Sequence, residues 1–313
     1  MGRRKSKSKR LFTVIEIILI ILIAGMCYSY YYFDNKLKDN NKEHKKLTDN
    51  ISLIEKDYNE KTKELDSINK EIEKYNKIDE TISKTQEEYF NYAKELEQNV
   101  KDKKTDKKIV YLTFDDGPYY NTYKVLDILD QYKVKATFFT ISMNGQYCYD
   151  NKNEDCFKLY KEYVKRGHTI ANHTYTHGLR TGLYSSVNSF MDAIDKQEEH
   201  IKNQSGGYVA RIVRFPGGSP TAGNLKQPII EKLREKGYGW VDWTSLDGDA
   251  EGVASEEQAW QYLKSTMNDD IEVILFHDYN RITTSILPGF IEYLQNNNYV
   301  LLPLFYDSVM IKK

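Results

Sequence analysis

Asp115 and Asp116 stand side by side after an apolar run, and Gly117-Pro118 follows at once. Two adjacent carboxylates at the end of such a run cannot easily both be buried and ionised unless something compensates their charge. A divalent cation would do so. His173 and His177 lie four residues apart, a spacing that puts both imidazoles on one face if the segment forms a helical turn. One Asp and two His fill three positions around a metal and leave the fourth for water and substrate. The remaining carboxylate is then placed to act as base on that water. Arg214, Asp247, Asp249, His277 and Asp278 also follow apolar runs. Together these side chains point to metal-assisted hydrolysis.

The elements that must position them are short. Strands are predicted near 109–114, 136–141, 168–172, 211–215, 239–243, 273–276 and 299–305. Helices are predicted near 122–132, 156–167, 184–204, 224–236, 255–267 and 283–296. Strands alternating with helices indicate a parallel α/β domain, either a closed or nearly closed barrel or an open doubly wound sheet. In both, the site is built at the carboxyl ends of the strands, which is where Asp115, His173, Arg214, Asp247, Asp249 and His277 fall. No Gly-x-Gly-x-x-Gly follows the first strand and no Gly-Lys-Ser/Thr loop occurs, which disfavours the nucleotide-binding versions of this class.

Thr113-Phe114-Asp115-Asp116-Gly117-Pro118 resembles the first motif of the polysaccharide deacetylases, metal-dependent esterases of chitin, peptidoglycan and related N-acetylated glycans that share the NodB homology domain. Asn172 through His177 resembles their second motif, Arg214-Phe215-Pro216-Gly217-Gly218 the third, Trp243 through Asp249 a variant of the fourth, and Leu275-Phe276-His277 the fifth. The likeness spans about residues 105–306. It implies a distorted (β/α) barrel of about seven parallel strands and one divalent metal ion, most often zinc. Asp116, His173 and His177 would hold the metal. Asp115 would be the general base, paired with Arg214, and His277 the general acid, kept charged by Asp249 with Asp247 as the rival partner. The oxyanion would lie on the metal and on the backbone N–H of Gly217, which follows Pro216. Arg214 and the metal would lower the pKa of Asp115, and the nearby carboxylate would raise that of His277.

Two departures from the family pattern bear on substrate contacts. Gly217 stands where many members have Tyr after the Pro, and Ala250 where many have Trp after the fourth-motif Asp. Trp243 is placed to cover the site in their stead, or else to pack in the core. Cys148 and Cys156 are spaced for a disulfide closing a short loop. His200 is expected to be solvated on a polar helix, and His168 to be structural.

The rest of the chain reads as an address. Residues 1–10 carry six basic residues and no acid, and residues 11–33 contain one charge, Glu16. About 20 apolar residues span a bilayer, and the basic flank places residues 1–10 in the cytoplasm and the rest outside. The tyrosines from Tyr28 to Tyr32 suit a membrane interface better than a cleavage site. From Leu47 to Val100 apolar residues recur in steps of three and four, with no Pro or Gly between 34 and 105. That pattern predicts a coiled-coil stalk over 34–104, a spacer and possible homo-oligomeriser, ahead of a catalytic domain over 105–313. A formal net charge of −1 gives no support for nucleic-acid binding. Three cysteines exclude a disulfide-built mini-protein and a four-cysteine zinc site. The expected partners are therefore an acetylated glycan and a membrane. The leading substrate is peptidoglycan N-acetylglucosamine, and N-acetylmuramic acid, poly-N-acetylglucosamine, chitin fragments and O-acetyl xylan are alternatives. A non-catalytic glycan-binding scaffold is the competing class.

Overall fold

A computed structural model describes residues 3–142, 154–208 and 210–305, with side chains described for 14–70, 88–142, 156–208 and 210–305. The chain divides into two compact units, Met1–Tyr75 and Asn76–Lys313. Helix α1, Arg3–Lys101, supplies the described part of the first unit. Its segment from Val14 is long and apolar enough to cross a membrane, and its apolar side chains, such as Ile20 at 65% exposure, are open to the surroundings. Leu47, Ile51, Ile54, Tyr58, Leu65 and Ile68 of the heptad stripe are likewise exposed. The expected helix is present, whereas a coiled coil requires a second helix that one chain does not supply.

The second unit is an α/β fold. β1 (Lys108–Asp115) is followed by α2 (Thr122–Gln131), β2 (Thr137–Thr140), α3 (Lys158–Lys165), β3 (Thr169–Asn172), α4 (Val187–Ser205), β4 (Ile212–Val213) and α5 (Lys226–Glu235). Then come β5 (Gly239–Trp240), β6 (Ser245–Leu246), α6 (Glu256–Thr266), β7 (Ile271–His277), α7 (Arg281–Asn296) and β8 (Tyr299–Leu301). The strands pair in the order β5-β4-β3-β2-β1-β7-β6, with β8 beside the start of β1, and every ladder is parallel.

The edges of this sheet, β5 and β6, are neighbours in sequence. The Val241 N–H still donates to Val213 on one side, while the Thr244 N–H already donates to Val273 on the other. Three peptide steps reach at most about 11 Å, so the sheet must curl until its edges nearly meet. The expected barrel therefore holds and the open doubly wound sheet does not. The strand predicted near 239–243 is shortened to β5, and β6, beyond its predicted end on the other side of this seam, was not predicted.

Alternation along β1 sorts the two cores. Val110, Leu112 and Phe114 face the helices, with Leu126, Phe138, Ile274 and Phe290. Ile109 and Tyr111 face inward, with Phe139, Ala171, Ile212, Val241 and Val273. The end of α1 also enters that inner cluster: Ala93, Leu96 and Val100 are buried in it, and the Tyr111 hydroxyl donates to the buried carboxylate of Glu97. The segment read from sequence as the end of the stalk thus fills part of the inner core of the second unit.

Candidate active site

Asp115 ends β1 pointing into the barrel, two residues above Thr113. Arg214, also inward and fully buried, donates through Nη1 to Asp115 Oδ1 at 2.8 Å and to Thr113 Oγ1 at 2.7 Å. Its other nitrogens reach the chain entering the seam, at the carbonyls of Val241 at 3.4 Å and Asp242 at 3.0 Å. The guanidinium lies over the ring of Phe139 at 4.2 Å. A buried carboxylate and a buried cation are thus paired with further hydrogen bonds, which is what burial of charge requires. Burial raises the pKa of Asp115, and the opposing charges of Arg214 and His277 do not fully offset it. Desolvation thus outweighs Arg214 in the protein without a cation, and the lowering expected from sequence includes the charge of the metal.

The sharp turn after β1 aims the second carboxylate. Asp116 takes a left-handed φ of 70°, rare for a residue with a side chain and concentrated at functional sites. A Cβ on Gly117 would stand 2.6 Å from Asp278 Oδ2, so only glycine fits beside that buried carboxylate.

His173 and His177 do not share a helical turn. They lie in a loop after β3, with Thr174 at φ 67° and His177 at φ 51°. The loop nevertheless brings their rings to 4.9 Å between centroids. His173 Nδ1 is 2.8 Å from the Arg214 carbonyl, an acceptor, so Nδ1 carries the proton and Nε2 presents a lone pair. Burial and the neighbouring His177 push its pKa down to about 3, which keeps the ring neutral. Nε2 of His173 and of His177 approach Asp116 Oδ1 at 3.6 and 3.7 Å. One donor atom from each of Asp116, His173 and His177 lies within 4.8 Å of the others. Two imidazoles and one carboxylate, aimed at a common point, fit a divalent cation with an open position.

His277 ends β7. Asp249 clamps it twice, with Oδ1 2.7 Å from Nδ1 and Oδ2 accepting the backbone N–H at 2.8 Å. Burial opposes the charge on His277, but the hydrogen bond and charge of Asp249, backed by Asp116 and Asp115, push its pKa up to about 9. Of the two rivals, Asp249 touches the imidazole, while Asp247 lies behind it. Nε2 of His277 faces Asp116 Oδ2 at 3.8 Å, so the proton it carries is directed at the same site.

The remaining sequence candidates flank this centre. Pro216 accepts from the Tyr184 hydroxyl at 2.9 Å, and Gly217 is exposed at φ 72° in the loop leaving Arg214. Trp243, half-buried, stands 3.1 Å from where a Cβ on Gly218 would be and 5.9 Å from the Arg214 guanidinium. It therefore both closes the inner core and walls the loop. Sequence reasoning missed Asp242, whose carboxylate holds the Ser219 N–H and hydroxyl at 2.8 and 2.7 Å and so pins that loop. It also missed Tyr279, whose ring lies tilted against His277 at 5.1 Å between centroids. Asp242 lies 23 residues from Ser219 and left no local signal, whereas Tyr279, two residues after His277, could have been found from that adjacency. His168 is structural, fully buried with Nδ1 accepting from Ala136 N–H at 3.1 Å. His200 is not solvated; it packs among the rings of Phe157, Tyr160 and Tyr175. Cys148 lies outside the described residues.

A family model described as polysaccharide deacetylase matches residues 102–239. A peptidoglycan-N-acetylglucosamine deacetylase of Bacillus cereus is 34% identical over 176 residues, 55% of this chain and 74% of that protein. The chain belongs to the polysaccharide deacetylase family. The solved catalytic domain of a peptidoglycan N-acetylglucosamine deacetylase from Eubacterium rectale shares this deacetylase fold, with a TM-score of 0.59 and 33% identity over 66% of this chain and 93% of that one. A bifunctional xylanase/deacetylase of Pseudobutyrivibrio xylanivorans is 36% identical over 199 residues, 62% of this chain; the match spans only 29% of that protein's length.

Proposed function

We propose that this chain is a metal-dependent hydrolase that removes N-acetyl groups from an envelope polysaccharide, with peptidoglycan N-acetylglucosamine as the substrate. The observation that carries the reading is the convergence of three groupings at the strand ends: the Asp116–His173–His177 donor set, the Arg214-held Asp115 and the Asp249-held His277. The names of the Bacillus cereus and Eubacterium rectale relatives support the choice of sugar.

Asp116, His173 and His177 would hold the cation, for which zinc suits the nitrogen-rich donor set. When bound, a divalent cation polarises the acetyl carbonyl and lowers the pKa of a water. Asp115 takes a proton from the attacking water, and Arg214 keeps that carboxylate oriented and favours its ionised form. The N–H of Gly217 donates to the oxygen that gains charge. His277, kept protonated by Asp249, delivers a proton to the departing nitrogen, so that acetate and a free amine leave.

The apolar helix supports a single-pass anchor over 11–33, with the basic residues 1–10 in the cytoplasm and the catalytic unit outside. The exposed stripe from Leu47 to Ile68 supports pairing of this helix with a second copy as a coiled-coil stalk.

The test incubates the full chain in detergent with zinc and, separately, with peptidoglycan, chitooligosaccharides and acetylated xylan, and measures released acetate. Release from peptidoglycan with new free amines on glucosamine is expected. Release from xylan alone would move the substrate to O-acetyl esters, and none from any glycan would favour a binding scaffold.

A further inference from the structure

Behind the Asp249–His277 pair lies a second carboxylate that the proposed chemistry does not use. Asp247 is fully buried. Its Oδ1 accepts the Asp249 N–H at 3.1 Å, and its Oδ2 lies 2.6 Å from the Thr283 hydroxyl. The same hydroxyl oxygen lies 3.1 Å from Asp249 Oδ2. Asp247 has no cationic ion-pair partner among the described residues. The charged groups acting on it are Asp249, on the same loop, and His277 on β7, while α7 presents the Thr283 hydroxyl.

A threonine hydroxyl carries one proton. Between two ionised carboxylates it could satisfy only one, leaving the other oxygen against a lone pair in a site without water access. That arrangement is costly for a buried anion beside another anion. A single added proton on Asp247 Oδ2 resolves it. Asp247 then donates to Thr283, Thr283 donates to Asp249 Oδ2, and Asp249 remains an anion for His277. Every polar atom in the row is satisfied in one direction, and no proton needs to move during turnover.

We propose that Asp247 is a positioning residue, held protonated, whose donation through the Thr283 hydroxyl fixes the carboxylate of Asp249 against His277. The direction of its pKa agrees: burial, then the charge of Asp249, pushes it up to about 7. This inference deepens the reading of His277 as the acid and rests on that reading for its catalytic consequence, but the proton on Asp247 is measurable without turnover.

The experiment is an infrared difference spectrum of the full chain in detergent, wild type minus Asp247→Asn, at about pH 6, where ordinary carboxyl groups are ionised. A carbonyl stretch of a protonated carboxylic acid is expected in the wild type and absent from the variant, and Thr283→Val should shift its frequency because the acid loses its acceptor. Kinetics on the same proteins give the second arm. Asn can donate to Thr283 as the acid does, so Asp247→Asn and Thr283→Ser should stay within about threefold of wild type. Asp247→Leu and Thr283→Val should lose roughly tenfold or more, the scale of a lost orienting partner. Absence of the acid stretch, or an Asp247→Asn variant as impaired as Asp247→Leu, would overturn the proposal. A wild type without acetate release but with the acid stretch would instead sink the function assigned above and leave the proton in place.

Discussion

Asp115 and His277 are register partners across the β1–β7 ladder. The residues proposed as base and acid thus sit on adjacent parallel strands, whose axes run about 4.8 Å apart. Both point into the barrel. Their different partners, Arg214 for one and Asp249 for the other, set them to opposite tasks. In the proposed reaction this arrangement would separate a carboxylate that takes up a proton from an imidazole that gives one.

The alkaline side of the pH–rate profile should follow His277. Its pKa is raised to about 9, so activity should be lost as pH rises through that value, after a smaller fall near pH 7 as Asp247 gives up its proton. With a cation on Asp116, the contribution of Asp249 remains. Asp249→Asn should move the alkaline limb to lower pH by roughly one unit or more, since one unit corresponds to about 1.4 kcal/mol of interaction. The same pair stabilises the fold fully below the unfolded pKa near 6.5, and that contribution is lost as pH rises through about 9. An alkaline limb unmoved in Asp249→Asn would remove Asp249 from this role.

The metal site should be separable from the acid–base pair. His173→Ala and His177→Ala should bind less than one zinc per chain by elemental analysis, while His277→Ala retains full occupancy. Because an ion bound only by the folded state at a hundredfold over its Kd adds about 2.7 kcal/mol, a chelator should lower the melting temperature of the wild type and leave the double variant unchanged. Full zinc content in the double variant would contradict the assignment of these ligands.

Much of this was legible in the sequence because the informative segments are strongly patterned. The run Ile109–Phe114 alternates between two buried faces, and the six helices after it fall within a few residues of their expected places. The strand-end positions of Asp115, His173, Arg214 and His277 followed from that frame. What was not legible depended on backbone geometry or on distant partners. The five-residue run His173–His177 has the spacing of a helical turn, but left-handed residues at Thr174 and His177 make it a loop. β5 and β6 hold two residues each, too few to show a period. Asp247 and Asp249 flank Gly248 on either side, and the left-handed turn there, which brings Asp249 to His277, leaves no pattern in the sequence. His200 sits on a helix rich in polar residues, and its aromatic neighbours come from α3 and the loop after β3.

The end of α1 gives a fold prediction with practical weight. Leu96 and Val100 are buried, at roughly 1.5–3 kcal/mol per fully buried aliphatic side chain, and Glu97 accepts from Tyr111. A soluble fragment starting at residue 105 should therefore be less stable than one starting at residue 76 by several kcal/mol. Chemical denaturation of the two fragments would show it. Equal midpoints would mean that the inner core does not need this helix.

Asp115→Asn and His277→Ala, each with its zinc content confirmed, test the central claim most directly through acetate release from N-acetylated peptidoglycan. Turnover should fall on the order of 100-fold or more in each with zinc retained, and the His277→Ala loss should shrink on an acetyl ester with a better leaving group. Near-wild-type release by either variant on the amide substrate would contradict the account, because the base or the acid would then lie elsewhere.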